Sequence, residues 1–275
     1  MKEIVLPDPI TTDQVKITVT PTTVQNVYDV AVSVSDGIVK MDFDNGTKVN
    51  GTTGIATYPF KGDYTIKVQV DTAGGITQNT VVVKVADDNY ELLNDPLYNF
   101  LTGGPSAVNG KTWVVDSISK GHLGCGPNSS FKDEWWSAPA MDKKGKQMYD
   151  DEITFKLKGA KVIYNNHGKS YVNGAAKPDM VSRGAALIEA EGLYGAAGGD
   201  FVATYTPGSN WTWSLTKDAG RNYINFPLGQ AFFMYFAGNV EKYEIQTINE
   251  NEMYIRIELP AIVWYVKLIK KGYVR

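Results

Sequence analysis

The 275-residue chain has a formal charge of −3, with 43% hydrophobic and 21% charged residues, which is ordinary globular usage. This composition argues against disorder, and no apolar run approaches the roughly 20 residues that a membrane helix needs. The net charge is negative, and the chain has no cluster of Lys and Arg of the kind that binds nucleic acid, so we expect no nucleic-acid partner. The length suits two domains, and the single cysteine, Cys125, excludes an intrachain disulfide.

Period-two alternation of apolar and polar residues dominates the first part of the chain. The clearest runs cover residues 15–19, 64–70 and 80–85, and each is bounded by Gly, Asn, Asp or Pro. Such runs are typical of half-buried antiparallel strands. Frequent turn signals over this length predict a small immunoglobulin-like sandwich at residues 10–87.

The segment 86–105 interrupts the alternation. Its apolar residues, Leu92, Leu93, Leu97 and Leu101 among them, fit either one short helix or an extended tether. Composition changes here, because all six tryptophans lie after residue 112. We therefore place the domain boundary in this segment and begin the second domain at residue 95, running to residue 275.

The second half again predicts strands, separated by turns that contain Gly and Asn. No crossover helices intervene, so we predict an antiparallel sandwich of the jelly-roll kind, with a lipocalin-like meander barrel as the alternative. The predicted fold class of the whole chain is all-β. The candidate strands are 111–117, 152–158, 161–165, 201–206, 211–215, 223–226, 231–236, 242–249, 252–259 and 262–270.

The first domain is similar to the PKD (polycystic kidney disease) module. The turn Met41–Gly46 reads MDFDNG, and a later strand, Tyr58–Ile66, contains the aromatic pattern GDYTI around Tyr64. Met41 stands where that family usually has tryptophan. The resemblance implies an immunoglobulin-like spacer, in which Asn45-Gly46 forms a tight turn and Tyr64 anchors the sandwich.

The second domain resembles surface glycan-binding lipoproteins of Bacteroidota polysaccharide-utilisation (Sus-like) systems, especially those for β-glucans. The resemblance is carried by Lys111–Trp113, Gly121–Pro127, Trp135-Trp136 and Tyr149–Phe155. It implies a monomeric lipoprotein at the outer-membrane surface, exported by a signal absent from this sequence. It also implies a polysaccharide ligand and, as partners, other outer-membrane glycan-uptake proteins.

Sugar-binding sites place flat aromatic rings against the C–H face of a pyranose, so the question is which tryptophans face solvent. Trp113 and Trp264 alternate in phase with apolar neighbours, which predicts that both lie in the core. Trp211 and Trp213 share one strand face, which is either core or a two-ring platform about 7 Å long.

Trp135 and Trp136 form the strongest candidate site. Adjacent residues of an extended chain point to opposite sides, so we expect at least one of these rings to face ligand. The nearest candidates for hydrogen bonds to a sugar are His122, Asp133 and Glu134. Secondary aromatic candidates in Gly- or Asp-rich connections are Tyr149, Tyr171 and Tyr194. The predicted ligand-binding residues are thus Trp135, Trp136, His122, Asp133, Glu134, Trp211, Trp213 and Tyr149.

Metal and cofactor signals are weak. The two histidines, His122 and His167, and Cys125 are far apart in sequence, so a zinc site is unsupported. His122 has the alternative of a structural histidine bonded to a turn carbonyl. Asp150-Asp151-Glu152 lacks the spacing of a calcium loop and fits a solvated strand entry. We expect no metal and no cofactor.

Two other function classes stay open. Glu189 and Glu191 would share a strand face, as paired carboxylates do in some jelly-roll glycoside hydrolases, but the third acidic residue of that pattern is missing. We therefore expect no enzymatic activity. The other alternative is an adhesion or scaffold protein in which the aromatic residues contact another protein.

Overall fold

The computed structural model describes residues 7–93, 95–190, 199–227 and 240–275. Contacts divide the chain into two compact units, Met1–Asn94 and Asp95–Arg275. Regular structure in both units is mainly antiparallel sheet, which confirms the all-β fold class. No helix among these residues combines the length and apolar character needed to cross a bilayer. The strand expected at residues 231–236 lies outside the described residues.

The first unit is a sandwich of two antiparallel sheets. The sheets have the strand orders β1-β2-β5 and β4-β3-β6-β7, and their inner faces share one apolar core. This is the arrangement of an immunoglobulin-like sandwich. The strands are β1 Lys16–Pro21, β2 Val27–Ser33, β3 Ile38–Asp42, β4 Lys48–Asn50, β5 Thr53–Thr57, β6 Gly62–Thr72 and β7 Gly75–Val85.

Aromatic residues fix the turn between β3 and β4 and the start of β6. Phe43 is fully buried, and its carbonyl accepts a hydrogen bond from the Tyr58 hydroxyl at 2.9 Å. The ring of Tyr58 stacks on Tyr64 at a centroid distance of 4.1 Å. The Tyr64 hydroxyl donates to the Phe60 carbonyl at 2.9 Å, which is the tyrosine corner of such sandwiches. Gly46 has φ 86° and completes the turn.

The second unit contains two short α-helices, one large antiparallel sheet and one small antiparallel sheet. Two 3-10 turns of this unit lie at Lys158–Ala160 and Gly174–Ala176, and two more, at Thr12–Gln14 and Tyr90–Leu93, lie in the first unit. The helices and strands are α1 Pro96–Thr102, β8 Lys111–Val115, β9 Leu123–Gly126, β10 Trp136–Ser137, β11 Glu152–Lys156, β12 Lys161–Asn165, β13 Lys169–Val172, α2 Lys177–Ser182, β14 Ala186–Glu189, β15 Phe201–Thr204, β16 Trp211–Thr212, β17 Ser214–Asp218, β18 Arg221–Asn225, β19 Lys242–Ile248, β20 Glu252–Glu258 and β21 Val263–Lys270.

The main sheet of this unit curls into a nearly closed barrel. Its pairing order is β16-β12-β11-β8-β21-β20-β19-β18-β17. The two terminal strands of that order, β16 and β17, are consecutive in the chain and are separated by Trp213 alone. One extended segment therefore pairs with β12 at one side and with β18 at the other. Of the two arrangements left open, this is the meander barrel, because each barrel strand pairs with the next barrel strand along the chain.

Large side chains fill the barrel interior. Trp113, Phe155, Tyr243 and Ile255 are each 0% exposed and belong to one core cluster that includes residues from every barrel strand but β17, whose half-buried Leu215 packs against it. Barrels of about eight strands have an interior just wide enough for such packing. Trp113 also donates its indole N–H to the Leu101 carbonyl of α1 at 2.9 Å, which holds this helix against the core.

Smaller elements are inserted between barrel strands. The strands β9 and β10 extend the sheet beside the first half of β21, where Cys125 pairs with Trp264. A separate antiparallel sheet with the order β13-β15-β14 contributes Tyr171 and Phe201 to the barrel core. Trp113 and Trp264, at 0% and 9% exposure, are core residues as predicted.

Candidate functional site

The surface of strands β18 to β21 that faces away from the barrel interior carries polar and aromatic side chains. On β20, Tyr254 and Arg256 alternate with core residues. In the neighbouring strand β21, Lys267 pairs with Tyr254 and Tyr265 pairs with Arg256. Glu244 of β19 lies opposite Arg256. Because side chains alternate across a strand, these residues share the surface that we call the outer face.

A loop of residues 127–135 is bonded to the outer face through Arg256. The Arg256 side chain is almost fully buried and donates to the Ser130 carbonyl at 3.2 Å and to the Asn128 carbonyl at 2.7 Å. It also donates to the carboxylates of Glu244 at 3.1 Å and Glu258 at 2.8 Å. Two buried or half-buried contacts to backbone therefore hold the loop, and two carboxylates balance the buried charge.

Further hydrogen bonds fix the same loop at both ends. The Tyr265 hydroxyl donates to the Ser130 carbonyl at 2.8 Å, and the Asn128 amide donates to the carbonyls of Leu259 and Pro260 at 2.8 and 3.0 Å. At the other end, the Trp135 N–H donates to the Cys125 carbonyl at 3.0 Å. The loop conformation is thus set by bonds to strands of the barrel and its β9 extension.

Two aromatic rings of this loop face solvent. Trp135 is 58% exposed and Phe131 is 46% exposed. The ring of Phe131 lies against the guanidinium groups of Arg221 and Arg256, whose central carbons are 4.6 and 4.8 Å from the ring centroid. The exposed indole of Trp135 offers a large, flat, mainly apolar face to a ligand.

The other predicted residues of this segment lie on different sides of the chain. Trp136 is half-buried, packs against the barrel core and has the Lys143 ammonium 5.6 Å from its ring centroid, so it points away from Trp135. Asp133 is half-buried and lies directly over Gly124, where an added Cβ would be 2.4 Å from the Asp133 Cβ. Glu134 is exposed and accepts a hydrogen bond from Ser130 Oγ at 2.7 Å.

His122 is a buried structural residue bonded to Tyr149, which corrects its prediction as a ligand-binding residue; Tyr149 is half-buried, and its role stays a prediction. His122 is 0% exposed; its Nδ1 lies 2.8 Å from the Ser119 carbonyl and its Nε2 lies 2.8 Å from the Tyr149 hydroxyl. A carbonyl only accepts, so Nδ1 carries the proton and Nε2 accepts from tyrosine. The Tyr149 oxygen in turn accepts from the Lys143 N–H at 2.8 Å. Burial lowers the pKa of His122, which keeps the ring neutral.

Trp211 and Trp213 are core residues, and the two-ring platform is wrong. They are 8% and 3% exposed. The ring of Trp211 stacks on Tyr164 at 6.2 Å, and that of Trp213 meets Phe155 edge-on at 5.8 Å. Their shared face is the inner face, because the segment that carries them closes the barrel.

The remaining candidates give no second cluster. Tyr171 is 0% exposed and is wrong as an aromatic ligand contact; its hydroxyl donates to the buried Asp200 at 2.8 Å. Glu189 is exposed at the end of β14, whereas Tyr194 and Glu191 lie outside the described residues. Within the described ranges, no three His, Cys, Asp or Glu side chains form a group that could hold a metal ion.

Sequence patterns alone did not identify a groove that lies on the outer face beside the loop. It has a volume of about 490 Å³, and its lining includes Tyr223, Glu241, Lys242, Glu258 and the buried Arg256. The sequence feature that corresponds to the groove is the run of polar residues at alternate positions of β20. A period-two polar pattern is equally typical of a solvated strand face, so it cannot by itself distinguish a groove.

Comparison with known proteins finds a similarity among solved structures. No family model matches the chain, and no curated protein does. Among solved structures, the chain is similar to the PKD domain of the human VPS10 domain-containing receptor SorCS2, at 16% identity and a TM-score of 0.25. That match covers 32% of this chain and 81% of the PKD domain chain.

Proposed function

We propose that the second unit binds a polysaccharide without cleaving it, with the Trp135 indole as the stacking surface and the first unit as a PKD-type spacer. The observation that supports this most is an indole 58% exposed on a loop fixed by hydrogen bonds to the barrel. A ring carried on backbone that is already held in place costs less ordering of the loop when a ligand covers it, so more of the contact energy appears as affinity.

The chemistry around Trp135 favours sugar over a protein partner. A scaffold contact would be supported by a flat apolar patch, whereas here Lys132, Asp133 and Glu134 precede the indole directly. A loop sequence that is charged around its exposed indole suits a ligand that has apolar C–H faces and many hydroxyl groups better than it suits a flat apolar protein contact. The resemblance described above makes a β-glucan the first ligand to test.

Isothermal titration of the full chain with soluble β-glucan tests this proposal. We expect the wild type to bind and Trp135→Ala to weaken affinity by about tenfold or more, which is roughly 1.4 kcal/mol. The matched control is Tyr90→Ala, which removes an aromatic side chain, 36% exposed, from the first unit and should leave affinity unchanged. Full affinity in Trp135→Ala would contradict the site.

Incubation with glucan separates binding from hydrolysis. A binding protein leaves the number of reducing ends constant. If reducing ends accumulate and Glu189→Gln abolishes the accumulation, the hydrolase alternative replaces this proposal. Protein capture without glycan binding in the same preparation would favour the adhesion alternative.

We also propose that the protein acts at a cell surface, as an outer-membrane lipoprotein beside other glycan-uptake proteins. This location rests on the resemblance of residues 111–155 to surface glycan-binding lipoproteins. Antibody labelling of intact cells that produce the native protein tests it. Labelling that requires lysis of the outer membrane would contradict it.

A further inference from the structure

The groove on the outer face has the size of a ligand site. Its volume of about 490 Å³ falls within the range of small-molecule pockets in proteins. The 127–135 loop is bonded to its wall, because the Asn128 amide donates to the carbonyls of Leu259 and Pro260, two residues that line it. The loop is therefore held against the groove wall at Asn128.

Several charged groups of the groove already have partners in the protein. Arg256 donates to two carboxylates and two carbonyls, so its guanidinium serves to hold the loop. The Lys242 ammonium lies 3.9 Å from the centroid of the Tyr223 ring and 3.1 Å from an Asp218 carboxylate oxygen. It covers one face of the tyrosine, so that ring is not a free stacking surface.

Three groups keep hydrogen-bonding capacity toward the groove. Among the described residues, no side-chain hydrogen bond engages the Tyr223 hydroxyl or the exposed Glu241 carboxylate, and both residues line the groove. Glu258 is 57% exposed and uses Oε2 for its bond to Arg256. A hydroxyl that both donates and accepts, beside carboxylates that accept, is complementary to neighbouring hydroxyl groups of a sugar.

We propose that this groove is a second saccharide subsite, in which Tyr223, Glu241 and Glu258 bind hydroxyl groups of a neutral sugar unit. The inference rests on the proposed function, because it extends one polysaccharide chain from the Trp135 indole across the outer face. Glu241, Glu244 and Glu258 outnumber the two cations of the lining, Lys242 and Arg256. The excess negative charge disfavours a uronic acid at this position.

Titration with a disaccharide and a hexasaccharide of one β-glucan tests the subsite. The variants are Tyr223→Phe, which keeps the ring beneath Lys242, and Glu241→Gln, which keeps the shape of an exposed side chain. Each should weaken hexasaccharide binding by roughly three- to tenfold, the effect of one lost hydrogen bond, and leave disaccharide binding at the indole unchanged. Tyr273→Phe, a hydroxyl removed elsewhere in the same unit, is the matched control.

The outcomes separate the two proposals. If Trp135→Ala loses affinity for both lengths while Tyr223→Phe and Glu241→Gln match the wild type, the subsite is overturned and the proposed function stands. If the wild type binds neither length, the proposed function is overturned and the subsite with it. If the groove variants weaken the hexasaccharide and Trp135→Ala does not, the groove is supported and the indole is the wrong platform.

A charged ligand provides an independent readout. A polyuronate of similar length should bind the wild type more weakly than the neutral chain, and Glu241→Gln should narrow that difference. Equal affinity for neutral and anionic chains, unchanged by Glu241→Gln, would overturn the role given to the groove carboxylates. Protein folding is checked in each variant by tryptophan fluorescence, which reports on the second unit because all six tryptophans lie in it.

Discussion

A carboxyl group is buried directly before the start of β11, in the chain segment Asp150-Asp151-Glu152. Asp151 is 0% exposed, and its Oδ2 accepts a hydrogen bond from the Tyr164 hydroxyl at 2.5 Å, while Oδ1 has no hydrogen-bond partner among the described residues. Burial raises the pKa of Asp151 well above its usual range, with a further contribution from the charge of Asp150; bonds from Tyr164 and Ser170 oppose this shift.

The buried Asp151 carboxyl predicts a pH dependence of stability. A folded-state pKa above the unfolded value means that the contribution to stability is full below the unfolded pKa of about 4 and is lost as pH rises through the folded pKa. Asp151→Asn removes this titration. We expect the free energy of unfolding of the variant, relative to wild type, to increase from about pH 4 to pH 8, measured by urea denaturation with tryptophan fluorescence.

The neighbouring Glu152 is a control of opposite sign. A hydrogen bond from Lys271 lowers the pKa of Glu152, so its contribution is present above the unfolded pKa and is lost as pH falls through the folded pKa. Relative to wild type, Glu152→Gln should therefore become less stable as pH rises. If both variants show the same dependence on pH, the buried position of the Asp151 carboxyl is wrong.

At the scale of elements, the buried Arg256 guanidinium makes two of the hydrogen bonds that hold the 127–135 loop on the barrel. Replacing Arg256 with methionine would remove the bonds to Ser130 and Asn128 and leave the buried Glu244 carboxylate without this partner. We expect Arg256→Met to lower the free energy of unfolding of the second unit by about 3–5 kcal/mol, the usual effect of breaking a buried ion pair. Urea denaturation followed by tryptophan fluorescence measures it.

Arg221→Met is the matched control for this prediction. Arg221 contacts the same Phe131 ring and the same Glu244 carboxylate, at 3.8 Å, but its side chain is 45% exposed. Its loss should cost less than about 1 kcal/mol. The double variant Arg256→Met with Glu244→Gln should regain part of the lost stability, since no buried charge then remains. Equal losses in both single variants would contradict the anchoring role.

Strand positions followed from the sequence where alternation is strong. The candidate strands at residues 161–165, 252–259 and 262–270 match β12, β20 and β21 to within a residue. By contrast, β9 and β10 were missed. Gly124 and Gly126 weaken the apolar pattern of β9, and both are needed because backbone or Asp133 atoms would lie within 3 Å of an added Cβ. A close approach of two chain segments leaves no periodic signal.

The site was predicted less completely than the strands, for a topological reason. The exposed Trp135 follows from two adjacent tryptophans in an extended chain, which cannot both be buried on one side. The inner position of Trp211 and Trp213 depends on which strands pair with the segment that carries them, and that information is not local. The same holds for Arg256, whose partners are more than 120 residues away in sequence at Ser130 and Asn128.

For the second unit as a whole, the decisive feature is the closure of the barrel at residues 211–218. The strand is broken at Trp213, where the chain passes from pairing with β12 to pairing with β18. The Trp213 N–H donates to the Ala160 carbonyl at 2.9 Å, and its indole N–H lies within hydrogen-bond distance of the Lys156 and Lys161 carbonyls, at 3.2 and 3.1 Å. These bonds hold Trp213 on the β11–β12 side, and the chain that follows it pairs with β18.

Closure predicts opposite behaviour for two tryptophans, Trp213 and Trp135, that were both candidate ligand contacts in the sequence. Trp213→Ala should lower the free energy of unfolding by about 3–5 kcal/mol, because it leaves a large cavity and frees two carbonyls. Trp213→Phe, which keeps most of the ring volume and loses the N–H, should cost about 1–3 kcal/mol. Trp135→Ala should change stability by less than about 0.5 kcal/mol, because its indole is mainly in solvent.

Urea denaturation and glycan titration of the same three variants then separate the two roles. We expect Trp213→Phe to keep glycan affinity at a lower stability, and Trp135→Ala to keep stability at a lower affinity. This separation follows from geometry, since an antiparallel barrel uses one face of each strand for its own packing and leaves the other for contacts with solvent or ligand. A Trp135→Ala variant that loses stability as much as Trp213→Ala would show that its indole packs in the fold, and stacking on sugar would then have no free ring.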